Sequence, residues 1–488
     1  MQKPPHPPYS PTRPTSDQTL PWLAQALPRI RGLEPTITYG YAGELLHDDG
    51  RADMDAHGAR VADLVIRLGE ALLSYGAPAE ESVAGMLITA ESFGLSHVEP
   101  SVTLSSVYVS GCAPGVLSPV HASRVIRKHA TDFRTLARIQ ALVSAISTRQ
   151  LSLTEARKRA ASILDGRAPA GRWARLRFPV LTGLVAAGAG LVFGGGILES
   201  LSALLAAFTG ALLCAHLGRH GVPAFYRYAL AAMPAALTAL AVHTLVPETS
   251  SQAIVVAGIL GLLPTVTFVS AVQDSLTGHY LTALGRLFDA LLIFTAVITG
   301  VVVILGLGTV MGLDLPMSAS IARGGISGPA VVGVIVFAVA VAARSRARRQ
   351  DWLPAAGIAL GGYCVLVGLG ALGFSSLAAT ATAAITVGAA GQALARRRHE
   401  SGIALVVPGM APLLPGGTLY LALTDLASGR TPQGVGGLVH VAAITLILAV
   451  GGNLTAECAH FLRQARSSAA RQEREGVRTP CQASPRDL

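Results

Sequence analysis

The sequence predicts a mainly α, polytopic helical membrane protein. About ten spans are expected, as two inverted five-span repeats behind an N-terminal cytosolic α+β domain. Three observations carry this prediction. The composition is poor in charge, apolar runs of membrane length follow one another between basic loops, and one apolar stretch containing Pro and Asp occurs twice.

Only 14% of the 488 residues are charged, 51% are hydrophobic and the mean hydropathy is +0.51. A soluble chain carries about a quarter charged residues. Glycine is abundant (53) and aromatics scarce (5%), as close helix packing in lipid requires. The net charge of +10 lies mainly in short loops beside apolar runs, which argues against a nucleic-acid partner and for a bilayer. Cys112, Cys214, Cys364, Cys458 and Cys481 stand singly, with neither metal nor disulfide spacing. No metal or cofactor is expected.

Residues 1–50 are Pro-rich with no apolar core, so they read as a disordered tail and not a signal peptide. Residues 51–170 read as the cytosolic α+β domain. Val61, Leu64, Val65, Leu68 and Leu72 recur at helical spacing, and 78–93 gives a second amphipathic helix. The β-branched stretch VEPSVTLSSVYVS (98–110) predicts one or two strands. Leu136, Ile139, Leu142, Val143 and Ile146 mark another helix, and Ser152 with Glu155 forms a capping box for a last one, closed by Gly166.

Spans follow near 179–198, 201–218, 229–247, 253–272, 287–308, 329–343, 353–373, 375–394, 403–423 and 436–457. Arginines flank the even-numbered gaps: Arg172, Arg175 and Arg177 before the first span, then Arg219 and Arg227, Arg286, Arg344 to Arg349, Arg396 to Arg398, and Arg463 with Arg466. The other gaps hold Glu199, Glu248, Asp314 with Arg323, and Asp425 with Arg430. Positive charge on one side predicts that side to be cytoplasmic, with both termini and the head inside. The repeats are expected at 171–325 and 326–462, and a basic disordered tail at 463–488.

The recurring stretch is LLPTVTFVSAVQDSLTG (262–278) and LLPGGTLYLALTDLASG (413–429). The offset of 151 residues also pairs Gly258 with Gly409, Gly285 with Gly436, Leu287 with Leu438 and Gly300 with Gly451. It carries the first span onto the sixth. A unit with an odd number of spans must insert its second copy upside down, the architecture of many secondary transporters.

Pro264 and Pro415 each free a carbonyl inside a span, and irregular backbone at that depth belongs beside protein or a water-filled cavity. Thr265, Thr267, Ser270 and Gln273 in the first copy, and Thr418, Tyr420 and Thr424 in the second, would line a site for a small zwitterion. The alternative is a kink in which Ser and Thr bond back to their own helices. Asp274, Asp289 and Asp425 are candidate proton carriers, because acids inside membranes are costly. Equally, Asp274 and Asp425 can open turns completed by Gly278 and Gly429, and Asp289 can pair with Arg286 at i, i+3. His216, His243 and His440 read as interfacial or hydrogen-bonded residues. GAGLVFGGG (188–196) lies inside a span and suits helix packing better than nucleotide binding, and Asn453-Leu454-Thr455 is a sequon within the membrane.

With these residues in place, the chain resembles the threonine/serine exporter (ThrE) family from about Asp55 to Arg466. The resemblance rests on GEALLSYGAPAEES, SFGLSHVEPSVTLSSVYVS and RTLARIQALVSAISTRQLSLTEARKRAASIL in the head, and most specifically on SAVQDSLTGHYLTALGRLFDALL. There the family shows Gln-Asp, Thr-Gly and an Arg followed by an acid, here Gln273, Asp274, Thr277, Gly278, Arg286 and Asp289. The acid is commonly Glu in relatives, so Asp289 keeps the charge on a shorter arm. VVPGMAPLLPGGTLYLALTDLASG resembles the family's C-terminal membrane segment. The resemblance implies a non-enzymatic exporter of threonine and serine in the bacterial cytoplasmic membrane, driven by the proton motive force. Its partners would be those amino acids, protons and lipid, and a homo-oligomer is compatible with it.

Three other readings remain open on the sequence. A dicarboxylate exporter would want Arg or Lys inside the spans, and Arg286 at one end is the nearest candidate. A membrane-anchored hydrolase would draw on His97, Ser105, Ser106, Glu80 and Glu81, whose spacing fits no known constellation. A channel would give flux uncoupled from protons.

Overall fold

The computed structural model describes residues 49–112, 120–126, 130–165, 172–313, 325–398 and 402–476. The expectations for the N-terminal tail, for Gly166 as a helix stop, for Asp314 and Arg323, and for Cys481 lie outside the described residues.

The N-terminal part begins with α1 (Asp49–Ser74) and α2 (Ala79–Ser92). They cross where Gly85 leaves room for the Leu72 side chain. The expected strand stretch divides into β1 (Ser96–Val102) and β2 (Ser106–Cys112). The turn between them is held by Thr103, whose Oγ1 accepts from the Ser106 backbone N–H at 3.1 Å. A third strand, β3 (Val120–Val125), completes an antiparallel sheet in the order β1-β2-β3. The sequence reading did not foresee it, since VHASRV has little β-branched content and pairs through its register with β2. Helices α3 (Phe133–Ser147) and α4 (Leu153–Leu164) follow. Ser152 caps α4 through the Glu155 N–H, as expected.

One core lies between α1, α2 and the sheet, around Val61, Val65, Met86, Val107 and Val109. A second joins Leu64, Leu68, Leu136 and Ile139 to Ala342, Val407 and the connecting Ala347, all in the helical body beyond residue 172. The head is therefore seated on the helical body by continuous apolar packing.

The body contains α5 (Arg172–Val192), α6 (Ile197–Arg219), α7 (Ala224–Leu245), α8 (Ser251–Leu260), α9 (Thr265–Leu276) and α10 (Tyr280–Val310). Then come α11 (Gly328–Arg344), α12 (Arg349–Ala371), α13 (Ser376–Arg397), α14 (Ile403–Met410), a 3-10 turn at Ala411–Leu413, α15 (Gly416–Ala427) and α16 (Thr431–Gly476). Among the described residues, 7 helices are long and apolar enough to cross a membrane: α5, α6, α7, α10, α12, α13 and α16. Of the other expected spans, the sixth is the shorter α11, while the fourth and ninth are each divided at the proline into two helices. The stretch expected as a disordered tail from 463 instead continues α16 to Gly476. Residues 463–476 are rich in Ala, Arg, Gln and Glu and contain no Pro, so they keep helical propensity after the apolar pattern ends.

Small residues set the helix spacing. Gly188 of α5 lies so close to α11 that a Cβ there would sit 2.6 Å from the Phe337 nitrogen and 2.8 Å from the Gly333 oxygen. Helix neighbours recur along the chain. Helix α5 packs on α6, α6 on α7, α7 on α10 and α9 on α10; likewise α11 packs on α12, α12 on α13, α13 on α16 and α15 on α16. Helices α5 and α11 pack on each other.

Candidate transport site

Both broken segments open their helical ladders at Pro. In the first, α8 ends at Leu260, and Gly261 to Leu263 turn the chain toward Pro264, the N-cap of α9. Without an N–H, Pro264 cannot continue the ladder, and no side chain caps the new helix. In the second, α14 passes through the 3-10 turn to Pro415, whose carbonyl accepts the first bond of α15 from Leu419 N–H at 3.1 Å. Gly416 is required there: a Cβ would lie 2.6 Å from the Phe193 ring and 2.7 Å from Val256.

Of the residues expected at the breaks, Ser270 and Pro415 are buried, while Pro264, Thr267, Gln273 and Thr418 are partly buried. The side chains of Thr265, Tyr420 and Thr424 lie outside the described part of the structure. Gly278 and Gly429 end α9 and α15 with φ of 84° and 73°, the left-handed conformation that favours glycine at a helix C-terminus. The closing bonds match: His279 N–H donates to the Asp274 carbonyl and Arg430 N–H to the Asp425 carbonyl, both at 2.8 Å.

The acids differ. Asp274 is fully buried. One carboxylate oxygen accepts from the Ala79 N–H at 2.7 Å, at the first residue of head helix α2, and the other lies 3.1 Å from Arg286 Nη1. Arg286 therefore pairs with Asp274 and not with Asp289, and it donates through Nη2 to the Ala77 carbonyl at 3.0 Å. A helix N-terminus favours an anion, and the guanidinium neutralises it, so this buried pair is compensated on both sides. Thr282 adds a hydroxyl bond to the Val102 carbonyl at 3.0 Å. Asp289 is exposed beside Phe288. Asp425 is mostly shielded but reaches the surface and pairs with Arg430 at 2.8 Å. Of the histidines, His216 lies against His220 with tilted rings, their centres 4.7 Å apart.

Two contacts between head and body, and one within the body, escaped the sequence reading. Phe133 N–H donates to the Ser345 carbonyl at 3.0 Å. Arg346 pairs with Asp132, the N-cap of α3, at 2.9 Å. Arg344, read as one of several loop arginines, donates through Nη1 to the Gly261 carbonyl at 2.6 Å, at the first break. Its one sequence signal is that it directly continues the apolar run of α11. In the head, Glu81 accepts a hydrogen bond from Gln140 Nε2. Burial pushes its carboxyl above the ordinary 4.5, against the lowering effect of that bond.

A body of apolar helices, two of its segments broken at Pro, with buried charge at one break, defines a multi-pass membrane protein of the transporter class. The chain belongs to the threonine/serine exporter (ThrE) family. The family's ThrE profile matches residues 63–308, and a second, described as "Threonine/Serine exporter, ThrE", matches residues 330–456. A Mycobacterium tuberculosis (strain ATCC 25618 / H37Rv) protein named "Probable threonine/serine exporter" is 31% identical over 84% of this chain and 78% of its own. A Corynebacterium glutamicum protein named "Threonine/serine exporter" is 27% identical over 83% of this chain and 84% of its own. No solved structure matches the chain significantly.

Proposed function

We propose that the protein exports threonine and serine from the cytoplasm in exchange for protons, using the two breaks as halves of one substrate site. The observation that carries this reading is the recurrence of the broken segment, at Pro264 and Pro415, with partly buried hydroxyl side chains beside both breaks. The names of the relatives supply the substrate class. The reading involves no chemical step in the head.

The helices before and after residue 325 form two five-segment copies, inverted in the membrane, so that each broken segment counts as one of ten spans. The recurring neighbours support this, and so do the glycines. Gly258 fits against Ala206 of α6 and Ala235 of α7, while Gly409 fits against Ile358 of α12 and Val387 of α13. Gly300 meets Ala229 of α7, while Gly451 meets Ala384 of α13. Each pair of glycines is 151 residues apart. Inversion puts the arginine-rich ends on the cytoplasmic side, with the head covering the cytoplasmic end of the first broken segment. Asp274 is the favoured proton carrier: its protonation would release Arg286 and loosen the head from α9 and α10. Asp289 and Asp425 are the other carriers to test. Pro264, Thr265, Thr267, Ser270 and Gln273, with Pro415, Thr418, Tyr420 and Thr424, remain the proposed lining.

The test is flux of labelled threonine in proteoliposomes, with and without an imposed pH gradient, challenged by unlabelled serine and succinate. Gradient-driven flux blocked by serine is the expected result. Flux blocked by succinate alone would move the protein to dicarboxylates, and flux indifferent to the gradient would remove the antiport.

A further inference from the structure

Arg344 ends α11, yet its side chain does not turn away from the helical body. Nη1 donates to the Gly261 carbonyl at 2.6 Å, and the guanidinium lies 6.0 Å from the centre of the Phe178 ring. A Cβ on Gly261 would meet Thr182 at 2.6 Å and this guanidinium at 3.8 Å, so the group sits against the turn itself. The Tyr228 phenol is within electrostatic range. Among the described residues no carboxylate pairs with Arg344, although Arg286, Arg346, Arg398 and Arg430 each pair with an acid. A guanidinium among apolar helices without a counter-ion is costly. It has a fork of donors suited to a carboxylate, of which the Gly261 bond uses one.

The position has a counterpart. Phe193 lies 151 residues earlier, just past the end of α5, and its ring packs on Gly416 at the second break. Each copy thus sends the residue at the end of its first helix onto the break of the other copy. One of the two is a cation and the other is apolar. The site has a charged wall and an apolar wall.

We propose that Arg344 recognises the α-carboxylate of the transported amino acid at the first break. The assignment rests on the exporter reading above. On binding, the guanidinium exchanges the Gly261 carbonyl for the substrate carboxylate, and that carbonyl becomes an acceptor for the substrate ammonium. A zwitterion satisfies both groups at once. A dicarboxylate satisfies the guanidinium but leaves the carbonyl facing a second anion.

The experiment compares threonine and threoninamide, which lacks the carboxylate, as competitors of labelled threonine flux in proteoliposomes of the full chain. In the wild type the amide should compete at least roughly 10-fold more weakly, as expected for loss of a charge-assisted pair. Arg344→Gln should raise the threonine KM roughly 10- to 100-fold and erase the difference between acid and amide. Arg344→Lys should keep part of it. Equal competition by acid and amide in the wild type overturns the assignment without any variant, so it stays testable even if Arg344→Gln does not fold. An Arg344→Gln protein with unchanged KM and intact discrimination also overturns it while leaving the exporter reading in place. Absence of threonine flux in the wild type defeats the exporter reading and this assignment with it.

Discussion

Asp274 and Asp425 occupy the same place in the same local structure, and their surroundings differ. Each lies in the last turn of the second half of a broken segment, four residues before a glycine at positive φ, and each carbonyl closes the turn at 2.8 Å. Asp274 is sealed between Arg286 and the N-terminus of α2. Asp425 pairs with Arg430, just past its own turn, and that arginine is half exposed. The backbone of the turn follows from the local sequence, which the repeat preserves. The environment of the acid follows from what is packed on it, and among the described residues the head is packed on only one of them.

The largest effect that would break or sharpen this comparison is at the arginines. Arg286→Gln leaves Asp274 buried without its cation, which costs about 3–5 kcal/mol. Arg430→Gln removes a surface pair worth about 0–1 kcal/mol. Thermal unfolding with protease release of the head measures both, and similar losses would contradict the asymmetry. The glycines should behave alike. Gly278→Ala and Gly429→Ala each cost about 1–2 kcal/mol, since a Cβ meets nothing there and only the left-handed backbone resists it. Unequal penalties in the same unfolding measurement would mean the turns are not equivalent.

Thr282→Val should loosen the head by about 1 kcal/mol through loss of the bond to the Val102 carbonyl, read as faster hydrogen exchange in β1. The smallest effect concerns pH. Glu81 is held above its ordinary 4.5 by burial, so the folded head binds its proton more tightly than the unfolded chain does. Its contribution is fully present below about 4.5 and is lost as pH rises through the folded value. Glu81→Gln should therefore flatten the fall of the melting temperature between mildly acidic and neutral pH.

Much of this arrangement was legible in the sequence. Pro264, Pro415, Gly278 and Gly429 each force a backbone outcome on their own, so the broken segments and their closing turns could be read without neighbours. The Ser152 cap and the helical periodicity of the head are local in the same sense. What escaped depends on distant parts of the chain. Strand β3 forms because β2 offers it an edge, and Asp274 meets Ala79 across 195 positions of sequence. Arg286 stands three residues from Asp289, close enough to pair on a helix, but packing against the head turns it to Asp274. Arg344 looked like any other arginine after an apolar run, because only the folded chain brings Gly261 beneath it. The continuation of α16 past residue 463 shows the opposite case, in which helix propensity outlasted the apolar pattern used to end it.

The most direct test of the account is the initial rate of threonine flux for Asp274→Asn and Asp425→Asn, measured side by side in proteoliposomes under one pH gradient. The account predicts a loss of roughly 10-fold or more at Asp274, where a buried charge pair and the head contact are both disturbed. At Asp425 the rate should stay within about two-fold of the wild type, in keeping with a surface pair. Equal losses at the two positions, or the larger loss at Asp425, would contradict it.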